Sequence, residues 1–353
     1  MNIRCPLCRL GQTEPLGKRS DFASIDMYAP YVGDLQRFDR DVIECRTCGL
    51  QFIHPMYGEN ELAELYNQPR YDGFVSSVEK WFDFDGVDPQ VRLDQSERKF
   101  LLAGVGSWLK EHQLSFSKKP ICLDVGCGRG HNMVVFEKMG FDVEGIDMSE
   151  LQIEYLREHY DFRVRKVALE RLKPTEKYDC IIATNFIEHV RCPHAFMTKV
   201  ATLLKPNGLL VIETPLSITD RTSQKRYCDI YHTLFFDHFT LALLGAMNGM
   251  EYANSTDTVF HKLIFTHVEM VVCFSPDETL KDLGTSWELT RILRASHDAV
   301  EAQYLRCISE LQDIASPLFL TKTLCKWFRQ HGVTGTLKGL ASFLRDYYRR
   351  KKR

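Results

Sequence analysis

Two cysteine pairs, Cys5-Pro6-Leu7-Cys8 and Cys45-Arg46-Thr47-Cys48-Gly49, stand near the start of the sequence. Two residues between cysteines let both thiolates of a knuckle point at one ion, and a following glycine lets the backbone turn with N–H groups facing sulfur. Two knuckles complete a tetrahedral four-thiolate site, which suits a structural Zn2+ and leaves no open position for catalysis. Cys5, Cys8, Cys45 and Cys48 are therefore the expected metal ligands. A redox pair or four unrelated cysteines are the alternatives. The 36 residues between the pairs must form a long hairpin or an inserted loop, and Ser20–Phe38, mixed in polarity, suits that.

A second chemical signal is Ile121-Cys122-Leu123-Asp124-Val125-Gly126-Cys127-Gly128-Arg129-Gly130. An apolar strand runs into a glycine-rich turn, and His131–Met139 has helical character. Gly126, Gly128 and Gly130 let the backbone pass close beneath a ligand. The spacing is GxGxG, and His131 occupies the place where a dinucleotide fingerprint needs a small residue. A nicotinamide dehydrogenase is disfavoured on that ground. The next strand, Phe141–Asp147, ends in an acid 23 residues beyond Asp124. A carboxylate at that tip can accept both ribose hydroxyls of a nucleoside.

The elements that must position these residues alternate. Ser149 caps a helix to Tyr160, Arg163–Lys166 is a short strand, Lys177–Asn185 is a fourth, and Lys205-Pro206-Asn207-Gly208 turns into the strand Leu209–Glu213. Alternation over 120–215 gives the α/β class and a doubly wound sheet. Thr240–Met250 reads as a helix, with strands near Val259–Phe265 and Glu269–Phe274. Before this domain, Leu50–Pro55 reads as a strand, Glu59–Tyr66 as a helix and Val91–Lys110 as a helix leading inward.

The segments LDVGCGRG, VEGID, YDCIIATNFIEHV and LKPNGLLVIETP, in this order and at this spacing, resemble the class I S-adenosylmethionine-dependent methyltransferases over roughly residues 95–270. Cys45–Tyr71 resembles a subgroup with a preceding zinc-ribbon-like segment, common among enzymes of surface glycan and deoxysugar biosynthesis. The resemblance implies a Rossmann-like sheet and S-adenosylmethionine as cofactor. It implies that Gly126 and Gly128 pass under the methionine part and that Asp124 orients the loop or the amino group. It also places Asp147 on the ribose, Met148 on adenine, Ala168 and Leu169 beside the adenine ring, and Asn185 and Phe186 facing the methionine moiety.

Methyl transfer is an in-line displacement, so the protein's work is to align the acceptor and exclude water. A hydroxyl acceptor also needs a base, and histidine is best tuned for it. Ile187-Glu188-His189-Val190 follows the fourth strand at its carboxyl edge, where Glu188 and His189 can pair; a helix-start role for His189 is the alternative. Tyr231-His232-Thr233-Leu234-Phe235-Phe236 resembles the family's HxxxF segment near the acceptor pocket. His232 is the candidate base, Tyr231 a candidate hydroxyl contact, and Ser217–Asp229 a candidate lid. A buried histidine in an aromatic core is the bland reading of His232.

Composition sets the outer bounds. With 353 residues, 44% hydrophobic and 26% charged, the chain is neither disordered nor fibrous, and a net charge of −2 gives no global basic field for nucleic acid. No secretory start and no membrane-span-length apolar run is evident, so a cytoplasmic protein with reduced thiols is expected. Lys322–Arg353 holds ten basic residues against one acid and has Leu337, Leu340, Leu344 and Tyr348 at helical spacing. Such a tail suits an anionic membrane at the inner face; a solvated terminus packed on the body, or a nucleic-acid tail, are the alternatives.

The expected organisation is a zinc-ribbon-like module (1–58), a helical linker or substrate cap (59–118), the methyltransferase domain (119–275) and a helical C-terminal extension (276–353). The expected function is methylation of a hydroxyl on a sugar or a lipid-linked surface glycan. The rivals are a C-methyltransferase of a nucleotide deoxysugar and a zinc-ribbon binding protein using the fold as a non-catalytic scaffold.

Overall fold

The computed structural model describes residues 3–22, 28–30, 32–66, 71, 73, 104–106, 119–173, 177–215, 230–262 and 265–276. Two sheets dominate these residues. The first is antiparallel: β1 (Thr13–Lys18) pairs β2 (Asp41–Cys45), which pairs β3 (Gln51–His54). Between β1 and β2 lie the short helical turn α1 (Arg19–Phe22) and a 3-10 turn, Leu35–Phe38, so the gap between the cysteine pairs is a hairpin with a long insert. Helix α2 (Glu59–Leu65) follows β3, with the Glu61 carboxylate reaching back to the Gly58 N–H at 2.9 Å.

The second sheet has seven strands. β4 (Ile121–Val125) lies between β5 (Asp142–Asp147) and β7 (Tyr178–Thr184). β6 (Arg163–Lys166) flanks β5, and β8 (Leu204–Pro215) flanks β7; these five strands are parallel. Their buried runs, such as Cys180–Ala183, are apolar on both faces, as a sheet covered on both sides requires. Helix α3 (His131–Lys138) joins β4 to β5, and α4 (Glu150–His159) joins β5 to β6, with the Ser149 side chain accepting from the Gln152 N–H as expected. The chain steps outward from β4 to β6 and then returns across β4 to β7. The topological switch point is therefore between the carboxyl ends of β4 and β7, where such sheets bind ligands.

Several boundaries differ from the sequence expectation. Helix α5 (Pro193–Leu203), with Pro193 in its first turn and Phe196, Met197, Val200 and Leu203 buried, had no counterpart there. It runs straight into β8, which starts at Leu204 rather than Leu209 because the register shift between Tyr178 and Cys180 absorbs the Lys205–Gly208 turn. Helix α6 (His238–Ala246) starts earlier than Thr240, because Asp237 accepts from the Thr240 N–H at 2.7 Å as its N-cap. Met250 belongs not to that helix but to β10 (Met250–Lys262), which pairs antiparallel with β11 (Phe265–Pro276); β11 then pairs β8.

Strands β1 and β2 stand where only a long hairpin or an inserted loop was expected, and β9 (Leu234–Phe235) where no strand was. Strand β9 pairs with β3 and completes the first sheet. The expected inner helix Val91–Lys110, apart from residues 104–106, the whole of the candidate lid Ser217–Asp229, and the C-terminal extension with its basic tail lie outside the described residues.

The cores of the two sheets are continuous. Cys5, Leu7, Cys45, Leu50 and Phe52 are buried in the same apolar cluster as Val125, Ile187, Phe196 and Ile212. The His194 ring on α5 lies 2.6 Å from the Leu7 carbonyl. The Asn248 amide lies 3.0 Å from its other nitrogen and donates to it, so Nε2 carries the proton given to Leu7. A knuckle is thereby fastened to the second sheet's helical layer.

Candidate active site

At the end of β4 the three glycines each have a left-handed φ: 72° at Gly126, 49° at Gly128 and 79° at Gly130. A Cβ on Gly126 would come within 2.7 Å of Phe186, and one on Gly130 within 2.5 Å of Leu156. At Gly128 nothing lies within 4 Å, so this glycine faces open space at the crevice. The first and third glycines are thus required by packing, and the second leaves room for a ligand.

Asp124 is fully buried under this loop, and neither of its carboxylate oxygens has a hydrogen-bond partner among the described residues. Burial, with help from the charge of Asp147, pushes its pKa up to about 8. Such a group calls for a cationic donor. Asp147, at the tip of β5, accepts from the Gly128 N–H at 3.0 Å and from the Ser149 N–H at 2.8 Å. Burial raises its pKa, while the bonds from Ser149, Gly128 and Met148 oppose this. Each carboxylate oxygen has a second lone pair, so both retain capacity for a diol. Met148 is 60% exposed beside it.

Across the crevice, Asn185 is exposed with φ 47°, and Phe186 stands half-buried against Gly126. Asn132 at the start of α3 donates to the Thr184 hydroxyl at 2.7 Å, joining the two walls. Ala168 opens a 3-10 turn and is half-buried, whereas Leu169 is packed into the main core. The unfilled donor demand at Asp124, the open face at Gly128 and the diol capacity at Asp147 together fit an aminoacyl nucleoside such as S-adenosylmethionine.

The histidines converge. Ile187–His189 form a 3-10 turn after β7. The buried Glu188 carboxylate accepts from the Thr214 hydroxyl through Oε2 at 2.9 Å. Its Oε1 lies 3.7 Å from His189 Nε2 and 3.9 Å from His232 Nε2, and the two imidazole rings meet edge to face at 5.0 Å. His189 Nδ1 lies 3.0 Å from the Tyr231 carbonyl and 2.9 Å from the Tyr66 hydroxyl. A carbonyl only accepts, so Nδ1 carries the proton and Nε2 faces Glu188. Burial pushes the His189 pKa below the usual imidazole range, partly offset by the Tyr231 and Asn185 carbonyls. His189 is therefore neutral at neutral pH and a weak base.

The structure brings His189, His232 and Tyr231 together. The Tyr231 backbone carbonyl orients His189, and the Tyr231 ring packs against Tyr66 at 5.4 Å, Tyr71 at 5.3 Å and Tyr28 at 6.0 Å. The sequence reading missed Tyr66 and Tyr71 as wall residues. No spacing could reveal them, since Tyr66 meets a histidine 123 positions away.

The cysteines also converge. Cys5 Sγ lies 3.6 Å from Cys48 Sγ, Cys8 Sγ lies 3.4 Å from Cys45 Sγ, and all four sulfurs fall within 4.8 Å of one another. Four thiolates about 2.3 Å from one zinc ion would sit about 3.8 Å apart at tetrahedral corners. The knuckles repeat one geometry: Arg9 N–H donates to Cys5 O at 2.9 Å, Gly49 N–H donates to Cys45 O at 2.7 Å, and both donors have positive φ. Hydrogen bonds from Cys48 and Cys5 hold the Cys45 thiol well below its ordinary pKa.

Residues 107–253 match the family model described as "Methyltransferase domain". That segment is similar to a methyltransferase domain, and the match takes in the glycine loop, Asp147, His189 and His232. Among curated relatives, the "Ubiquinone biosynthesis O-methyltransferase" of Rhodopseudomonas palustris (strain TIE-1) is 37% identical over 97 residues, 26% of this chain and 38% of that protein. The protein of the same name from Xanthomonas oryzae pv. oryzae is 29% identical over 163 residues, 42% of this chain and 62% of its own. The chain thus spans 38% of the length of the first of these relatives. Among solved structures, the Burkholderia thailandensis 1,6-didemethyltoxoflavin-N1-methyltransferase with bound S-adenosylhomocysteine is 16% identical, with a TM-score of 0.46 over 65% of this chain and 96% of that one. An S-adenosylmethionine-dependent methyltransferase from Clostridium acetobutylicum is 12% identical, with a TM-score of 0.40 over 59% and 99%. Among the described residues, no helix is long and apolar enough to cross a membrane.

Proposed function

We propose that the protein methylates a hydroxyl oxygen of a sugar or lipid-linked glycan, using S-adenosylmethionine. The observation that carries this reading is the buried carboxylate of Asp124, unpartnered among the described residues beneath an open glycine, with a Glu188–His189–His232 group beside it. The bound cofactor supplies an electrophilic methyl group. Asp124 would hold the amino group, Asp147 the ribose diol, and Met148, Ala168, Asn185 and Phe186 would border the remainder; Leu169 would contribute packing beneath. His232 would take the acceptor's proton at Nε2, with Glu188 balancing the charge that forms. His189, with its tautomer fixed, would hold the acceptor oxygen in line.

The four clustered cysteines would hold one structural Zn2+ that braces the first sheet. The relatives' names support an oxygen acceptor. An aromatic hydroxyl is a second reading, favoured by the wall of Tyr66, Tyr71 and Tyr231. The basic segment Lys322–Arg353 would bring the protein to an anionic inner membrane surface, where a lipid-linked acceptor resides.

Calorimetry with S-adenosylhomocysteine tests the first half of this reading. Binding by the wild type and loss of binding in Asp147→Ala is expected, whereas a wild type that releases no heat refutes it. Transfer of labelled methyl groups into cell extracts, with mass spectrometry of the product, tests the second half. Label on a carbon atom would select the deoxysugar alternative, and no label in any product would select the scaffold.

A further inference from the structure

The segment that carries His232 is held from two sides. Thr233 N–H donates to the Glu188 carbonyl at 2.7 Å, and the Thr233 hydroxyl reaches the Glu188 carbonyl at 3.0 Å. Those bonds tie the segment to the methyltransferase domain. Its carbonyls run the other way. The Thr233 carbonyl accepts from Ile53 N–H on β3 at 3.0 Å. The His232 carbonyl accepts from Arg19 Nη2 at 2.7 Å, and the Ile230 carbonyl accepts from Arg19 Nη1 at 2.6 Å and lies 2.9 Å from the Tyr57 hydroxyl. The carbonyl between them, that of Tyr231, faces the His189 ring.

Arg19 belongs to the first sheet's hairpin insert and is fully buried, which is rare for arginine. Its guanidinium is anchored in turn: Nη1 donates to the Tyr57 hydroxyl at 2.6 Å, and the group lies 5.6 Å from the Tyr57 ring centroid. A planar fork with fixed donor directions can span two carbonyls two residues apart, whereas a lysine ammonium offers a single point of charge. Those two carbonyls bracket the peptide units that set where the His232 ring stands and where the Tyr231 carbonyl aims.

We propose that Arg19 is a positioning residue for the reaction. Its two-point grip on Ile230 and His232 sets the His232 ring against Glu188, so that the N-terminal sheet is a working part of the acceptor side of the site. The proposal rests on the reading of His232 given above. No Arg19 atom need touch the acceptor or the cofactor; the residue acts through the main chain.

The test uses the full-length chain with its imidazole nitrogens labelled and followed by NMR. Arg19→Met keeps the side chain's length and removes the fork. It should displace or double the His232 ring resonances while leaving those of His194, an imidazole fastened to Leu7 and Asn248, in place. Binding of S-adenosylhomocysteine should not change, because the loop of Gly126–Gly130 is untouched. Arg19→Lys should recover part of the wild-type signal. General loosening would move His194 as well and would overturn the proposal, as would His232 resonances identical to wild type in a folded Arg19→Met protein. Should that variant not fold, Tyr57→Phe carries the same test, since it removes one contact to the Ile230 carbonyl; an unmoved His232 signal there is equally fatal. A wild type that does not bind S-adenosylhomocysteine would defeat the functional reading alone, because the dependence of His232 on Arg19 is read without it.

Discussion

Replacing Asp124 by asparagine keeps the shape of the side chain and removes its titration. In the wild type the carboxyl is held at about 8 against an ordinary 3.8, by burial first and the charge of Asp147 second. The neighbouring thiols of Cys122 and Cys127 are themselves pushed up by burial and stay protonated, so they do not titrate over neutral pH. Between the two Asp124 values the folded chain keeps a proton that the unfolded chain releases. Its contribution to stability is therefore fully present at acid pH and is lost as pH rises toward the folded value.

Each pH unit in that window costs about 1.4 kcal/mol, so from about pH 5 to about pH 8 the wild type should lose up to about 4 kcal/mol relative to Asp124→Asn. Urea unfolding of both proteins across that range, without added nucleoside, measures the difference. Other ionisable groups are common to both chains and largely cancel. Binding provides a second readout. A cationic amino group beside Asp124 favours its ionised form, so affinity of the wild type for S-adenosylhomocysteine should rise by up to about tenfold per pH unit below pH 8. The variant should show no such rise. Parallel stability curves, or the same pH dependence of binding in both proteins, would refute the argument that Asp124 waits for a cationic partner.

Other expectations follow from the same geometry. Gly126→Ala must place a methyl group 2.7 Å from Phe186 at a φ of 72°, and should lower stability by about 1–3 kcal/mol in chemical unfolding. Gly128→Ala meets nothing and should cost only about 1 kcal/mol of backbone strain, yet weaken S-adenosylhomocysteine binding more than Gly126→Ala does per unit of stability lost. Metal analysis should find one zinc per chain, and Cys45→Ser should lose it along with a lower melting midpoint; an unchanged midpoint would remove the metal from the account. His232→Ala should abolish methyl transfer with S-adenosylhomocysteine affinity intact, and retained turnover would pass the base to another group.

The nucleotide-side half of the site was legible because its signals are local. A buried strand, three glycines and an acid at the next strand's tip lie within 27 residues, from Ile121 to Asp147, and each follows from a period or a backbone requirement. Ser149 as a cap and Arg163–Lys166 as a strand read equally well. The acceptor half was only partly legible. His189 and His232 carry a chemical signature, but their neighbours Tyr66, Tyr57 and Arg19 are ordinary residues whose value comes from contacts across the chain. Strand β9, two residues long, leaves no periodic trace, and α5 escaped notice between two polar turns. Leu169, expected beside adenine, has its side chain packed in the main core.

The pairing of Gln51 with Phe235 has a consequence for how the molecule is made. During synthesis the amino-terminal hairpin emerges early, yet its last neighbour strand leaves the ribosome only after the glycine loop and all five parallel strands. Until then β3 presents an unfilled edge, open to pairing with other nascent chains. A metal ion captured by the four thiols at that stage would hold the hairpin in register while it waits, and cells short of the ion would be expected to accumulate aggregated rather than merely inactive protein.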